Sequence, residues 1–342
     1  MTQFVGVHDM ARWIRDTGVE DVIRGLIGYL DEDFRRWPQF DKAPRTASHT
    51  PFGVIELMPT SDREAYAFKY VNGHPSNPAR GYQTVVAFGL LADVHNGYPV
   101  FLAEMTLLTA LRTAATSALA ARTLARADST RMALIGAGSQ SEFQAVAFRA
   151  ALGIEDLTVY DVDPDAVAKL VRNLTSIGFR VTVAGDASEA CATADVVTTC
   201  TADKALSIVL HDDDVRPGMH LNAIGGDCPG KTELDPDILD RARVFVEFPP
   251  QTRVEGEIQA KPDDFAVTEL WEAIAGRAPG RTSDADVTLF DSVGFAIEDF
   301  AALRFVRDRV QGTPYVSDID LVAEPRDPKD LFGFVGAPVP VA

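Results

Sequence analysis

The stretch over residues 131–152, RMALIGAGSQSEFQAVAFRAAL, constrains the fold more than any other part of this chain. An apolar run ends on Gly136-Ala137-Gly138-Ser139-Gln140-Ser141, and a helical pattern begins there. A buried strand running through a glycine turn into a helix opens a doubly wound parallel sheet that cradles phosphates. Gly136 permits the tight turn, and Gly138 lets the backbone approach a pyrophosphate without a Cβ clash. The helix start offers unpaired N–H groups and the positive end of a dipole. The third glycine of this fingerprint is replaced by Ser141, which sets helix and strand slightly farther apart.

The flanking pattern strengthens the reading. A second strand, DLTVYDVD, places Asp161 near its end, roughly 20–25 residues past the glycines. A carboxylate there accepts from both ribose hydroxyls and repels a 2′-phosphate, so NAD is expected rather than NADP. PDAVAKLVRNLTSI reads as a helix, and RVTVAG, ADVVTTCT and HLNAIGGD as further strands. Strands alternating with helices of this length imply an α/β protein with a Rossmann-type sheet. Before it, GVIELMP, AYAFKYV, TVVAFGLLADV and YPVFLAEM are strand-like runs of an antiparallel or mixed sheet, after a helix in VEDVIRGLIGYLDEDFRRW. Residues 106–126 form an Ala/Leu-rich helix. The chain turns helical again in IEDFAALRFVRDRV and then loses its pattern in a Pro-rich tail, expected to be poorly ordered at its end.

Isolated charges in apolar surroundings mark the candidate site. Alternation puts Glu56 on one strand face with Val54 and Met58, and Lys69 with Ala67 and Val71. Such a face is either inward, needing a partner or ligand, or the outside of an edge strand. Arg112 shares a helical stripe with Leu108, Ala115 and Leu119, either snorkelling or binding an anion. Asp227 follows Gly225 and Gly226 at the carboxyl end of a late strand, where ligands of such sheets sit. The two glycines would leave room for a nicotinamide ring, although Gly-Asp turns also occur for structural reasons alone. Lys231 either caps a phosphate or is solvated.

Composition removes other classes. A net charge of −18 disfavours binding to nucleic acid or anionic membranes. No apolar run is long enough for a transmembrane helix. The charged start lacks the apolar core of a secretory signal, so a cytoplasmic protein is expected. Three scattered cysteines and six histidines without ligand spacing give no reason to expect a metal.

VIELMP, FKYVNGHP, TALRTAATS, ALIGAGSQSEFQA, HLNAIGGDCPGKTEL, QTRVEGEIQ and DSVGFAIEDF together resemble the ornithine cyclodeaminase/mu-crystallin family, over about residues 31–332. GGDCPGKTEL and KYVNGHP point to its cyclodeaminase branch. The resemblance implies an NAD-binding Rossmann domain over residues 116–309. It also implies an α+β substrate-binding and dimerisation domain over 1–115, completed by a C-terminal helix at about 310–342, and a homodimer. Arg45, Lys69 and Arg112 match the cations that hold an amino-acid carboxylate. Glu56 matches the acid for the distal amine, Asp227 the general acid/base, and Val293 a pocket position. Lys69 near the carboxylate is a second proton carrier. Thr84, Arg112, Gly136, Gly138, Ser139, Gln140, Asp161, Thr201 and Lys231 match the cofactor contacts. The implied reaction is L-ornithine to L-proline and ammonia. Relatives of the same fold act as lysine cyclodeaminases, cyclic ketimine reductases, alanine dehydrogenases or non-catalytic binding proteins.

Overall fold

The computed structural model describes residues 1–202 and 207–336. The period of two in the early strands is visible in what they bury. In Gly53–Ser61, Val54, Glu56 and Met58 are buried while Ile55 and Leu57 face outward. In Ala65–Gly73, Ala67, Lys69 and Val71 are buried. The two strands pair antiparallel with Met58 opposite Lys69, so both candidate charges point inward. The first sheet runs in the order Ser317–Ile319, Thr2–Val5, Pro99–Glu104, Ala87–Asp93, Ala65–Gly73, Gly53–Ser61 and Asp41–Lys42, and Thr46–Thr50 also pairs with Gly53–Ser61. It is mixed, because Thr2–Val5 lies parallel to Pro99–Glu104.

The helix Ala296–Val310 covers the inner face of this sheet, against Ala65–Gly73, Ala87–Asp93 and Gly53–Ser61. It begins upstream of the stretch at about 310–342 where the returning helix was expected. Phe305 anchors it edge-on to Trp13 and Tyr29, with ring centroids 5.8 and 5.2 Å away. The tail after it, which carries no readable period, supplies the strand Ser317–Ile319 and the short helix Leu331–Gly336. Three residues pair antiparallel with Thr2–Val5, a tertiary contact too short to leave a pattern. The expectation for the last residues of the tail, 337–342, lies outside the described residues.

The second sheet is parallel throughout, in the order Arg180–Val183, Asp156–Tyr160, Arg131–Ile135, Val196–Thr199, His220–Ala223, Val287–Asp291, Ala242–Val246 and Thr268–Glu269. Its central strands are buried on both faces, as helical crossovers require. The helices Ser141–Leu152 and Pro164–Thr175 follow the strands that predict them. Thr106–Leu124 joins the sheets, and its small alanines let it pack closely on Ser141–Leu152 and Val19–Arg35. No helix among the described residues is long and apolar enough to cross a membrane.

Phe305 is buried against Trp13 and Tyr29, where three helices meet. Phe305→Ala is expected to cost roughly 3–5 kcal/mol of stability, read by denaturant unfolding.

Candidate active site

Lys69 is 1% exposed, and its Nζ donates to Asp299 Oδ1 at 2.8 Å. The Arg112 Nε donates to the same oxygen at 3.0 Å, and its Nη1 donates to Glu298 Oε2 at 2.7 Å. Three elements meet here: a strand of the first sheet, the Ala/Leu helix and the returning helix. Arg112 lies on the stripe with Leu108, Ala115 and Leu119, all fully buried, so it does not snorkel. Burial, then the Arg112 charge, pulls the Lys69 pKa down to about 8, with Asp299 opposing. Burial pushes Glu298 up to about 8 despite Arg112, with Glu247 and Asp299 adding to the rise. Asp299 Oδ2 and Glu298 Oε1 are buried and lack a hydrogen-bond partner among the described residues.

Arg45 enters the same region from a loop. Its Nη1 donates to Glu56 Oε2 at 3.1 Å, and its Nη2 donates to the carbonyls of Val293 and Gly294. Its Nε lies 3.1 Å from Glu255 Oε2, an ion pair with poor hydrogen-bond alignment. Gln251 braces the arrangement, accepting from the Arg45 backbone N–H and donating to the Gly294 carbonyl. The turn at 292–294 is held by Glu247, which accepts from Ser292 Oγ at 2.6 Å and from the Val293 and Gly294 amides. Val293 is therefore present by its carbonyl, while its side chain is buried. Burial raises Glu255 to about 7; Arg45 opposes this, and Glu56 and Asp227 add to it.

Asp227 is the open member of the set. Its side chain is 59% exposed, and Oδ1 lies 3.8 Å from Lys231 Nζ. Its charge reaches Arg45 and Glu255. Gly225 and Gly226 also serve packing. A Cβ on Gly225 would stand 2.1 Å from the Glu233 carboxyl, and one on Gly226 would stand 2.7 Å from Glu257 Oε1. The glycines admit buried acids. Glu233 Oε1 accepts from Thr201 N at 3.0 Å and from Thr201 Oγ1, while Lys231 Nζ donates to Thr201 O at 2.9 Å. Lys231 is thus buried rather than solvated. Glu257 accepts from the Glu233 and Leu234 amides, and Asp291 in turn accepts from the Glu257 and Ile258 amides.

On the nucleotide side, Gly136 has φ +109°, and a Cβ there would meet the Cys200 carbonyl at 2.8 Å. Gly138 has open space at that position, and Gly138 and Ser139 are exposed at the loop tip. Gln140 Nε2 donates to Ala110 O at 3.0 Å, tying the loop to the Ala/Leu helix. Asp161 accepts from Ala137 N at 2.6 Å and from Asp163 N at 2.9 Å, which leaves each oxygen a second lone pair for a ribose hydroxyl. The open glycine, the exposed loop tip and the oriented carboxylate fit a dinucleotide. Thr84 sits in the loop after Ala65–Gly73, where its carbonyl accepts from His74 N at 2.9 Å. No hydrogen bond or ion pair links it to the groups above among the described residues.

A family model for ornithine cyclodeaminase and mu-crystallin matches residues 7–314. The chain belongs to the ornithine cyclodeaminase/mu-crystallin family. It is 58% identical to an ornithine cyclodeaminase of Agrobacterium fabrum over 332 residues, 97% of this chain and 94% of that one. An archaeal alanine dehydrogenase dimer with bound NAD superposes with a TM-score of 0.85 at 31% identity, covering 94% of this chain and 99% of that one. A lysine cyclodeaminase, described for its recognition of L-lysine, L-ornithine and L-2,4-diaminobutyric acid, gives 0.85 at 32% identity, covering 90% and 92%. Against the residues that the family resemblance brought forward, Asp299, Glu298, Glu255 and Glu247 are additions. Each interrupts an apolar or motif stretch that the sequence already displays, in FAIEDFAAL, TRVEGEIQ and VFVEFPP.

One oxygen of Asp299 is shared by two buried cations. Asp299→Asn is expected to lose about 3–5 kcal/mol of stability in denaturant unfolding, because Lys69 loses its counter-charge and Arg112 keeps only Glu298.

Proposed function

We propose that the protein converts L-ornithine to L-proline and ammonia, with NAD as its bound cofactor. The observation that carries this reading is that buried cations and buried acids are gathered in one region: Lys69 and Arg112 with Asp299 and Glu298, and Arg45 with Glu56 and Glu255, with the exposed Asp227 acting on Arg45 and Glu255. A diamino acid presents a carboxylate and a distal ammonium, and needs both. Alanine has no use for a distal acid. The names of the Agrobacterium relative and of the lysine cyclodeaminase support the same substrate class.

In this reading Arg45, Lys69 and Arg112 hold the substrate carboxylate, and Glu56 holds the distal amine beside Val293. Fixing both ends is worth several kcal/mol of barrier. Thr84, Arg112, Ser139, Gln140, Asp161, Thr201 and Lys231 hold NAD, over the backbone of Gly136 and Gly138. When bound, NAD supplies a hydride acceptor for the α-carbon and returns the electrons after ring closure, so the cycle is redox-neutral. Asp227 takes a proton from the distal amine as it attacks the α-carbon and gives one to the departing ammonia. Its exposure leaves it free to meet a substrate amine. Lys69, with its pKa lowered to about 8, is poised to move a proton as well as to hold a negative charge.

The first sheet, with Ala296–Val310 and Ser317–Ile319, is the substrate and dimerisation unit in this proposal, and the parallel sheet is the NAD unit. The outer face of the first sheet exposes Ile55, Leu57, Tyr66 and Phe88, with Tyr70 stacked on Phe88 at 5.1 Å. A second copy covers this apolar face. Cys191 and Cys200, unbridged and with thiol pKa raised by burial, suit a reducing cytoplasm where the reaction draws proline from ornithine.

Incubation with L-ornithine and NAD⁺ should release equal ammonia and proline without net NADH. Net NADH marks a dehydrogenase and the absence of any product marks a binding protein; either result overturns the proposal. Asp227→Asn should cut turnover roughly 100- to 10,000-fold while NAD still binds. Leu57→Asp combined with Phe88→Asp should move the sedimentation coefficient from that of a dimer to that of a monomer.

A further inference from the structure

Arg45 is already occupied. A guanidinium has five N–H donors, and here Glu56, Glu255 and the carbonyls of Val293 and Gly294 engage three of its nitrogens. Two parallel N–H groups, the arrangement a carboxylate takes up, are not presented while these contacts stand. The acids on Arg45 are themselves buried: Glu56 is 7% exposed and Glu255 is 6% exposed. Glu255 Oε2 has no aligned hydrogen-bond donor among the described residues, although Arg45 Nε is 3.1 Å away. A buried carboxylate oxygen served only by a misaligned cation is a site for a better one. Glu255 also shares its field with Glu56 and Asp227, and all three acids act on Arg45.

We propose that Glu255 is a specificity-determining residue that binds the distal ammonium together with Glu56, and that Arg45 stands in for that ammonium until substrate arrives. The proposal rests on the reading of the site as one for diamino acids. Substrate entry is then a charge exchange. The α-carboxylate draws the Arg45 guanidinium away from the two acids, and the distal ammonium replaces it against them. An amino acid without a distal cation can take the guanidinium but leaves Glu56 and Glu255 buried without a counter-charge, which is costly. Selectivity arises as much from this penalty as from any contact the correct substrate gains.

The test uses protein loaded with NADH, on which ornithine cannot turn over, so binding is read apart from catalysis. L-Ornithine and L-norvaline, which has the same carbon chain without the terminal amine, are titrated by calorimetry into the unaltered protein and into Glu255→Gln. E255Q should weaken ornithine and tighten norvaline, whose uncompensated acid is gone, so that the preference for ornithine narrows by about tenfold or more. An unchanged ratio, whether both affinities fall together or neither moves, overturns the assignment and leaves Glu255 as a structural partner of Arg45. If E255Q does not take up NADH, Glu255→Ala replaces it with the same two readings. Ammonia release from ornithine by the unaltered protein tests the catalytic reading separately, so the two can fail independently.

Discussion

The carboxylate of Asp299 is the point on which this architecture turns. It is buried in the returning helix, yet it meets a lysine from the first sheet and an arginine from the helix that joins the sheets. Without it Lys69 would be a buried cation lacking a counter-charge, and Arg112 would keep only Glu298. The Asp299 oxygen lets them stay close together, which is what recognition of a small anion needs. Core packing and site geometry are therefore one problem here. The aromatic contacts of Phe305 that seat the helix also set where Asp299 stands.

Other acids are also kept out of water. Glu233, Glu257 and Asp291 are linked through backbone amides across the carboxyl ends of the parallel strands. Burial raises Glu257 to about 8 and Asp291 to about 7. Each carboxyl takes N–H groups that a loop would otherwise leave unpaired. They shape the turns bearing Thr201, Lys231 and the residues before Val293, where side chains alone would leave those turns loose.

Much of this was legible in the sequence, for reasons of period. The glycine turn between strand and helix, the strand bearing Asp161 and the faces that Glu56 and Lys69 share with their neighbours follow from local pattern, because each element has regular geometry; that those faces point inward is settled only by the fold. Ser317–Ile319 was not legible: three residues carry no period, and their pairing depends on a partner some three hundred positions away. Glu255, Glu298 and Asp299 sit within motifs that the sequence displays, but their significance depends on which cation each meets. What Gly225 makes room for was not legible for the same reason. A glycine declares that space is needed, and only the fold says that Glu233 fills it.

The bond from Gln140 to the Ala110 carbonyl joins the phosphate-binding loop to a helix that carries Arg112 half a turn later. That helix is stiff and buried along most of its length, so it acts as a beam between two grips. Reagents held in this way keep a constant separation through successive steps, which suits a cycle in which the same pair of electrons must leave and come back.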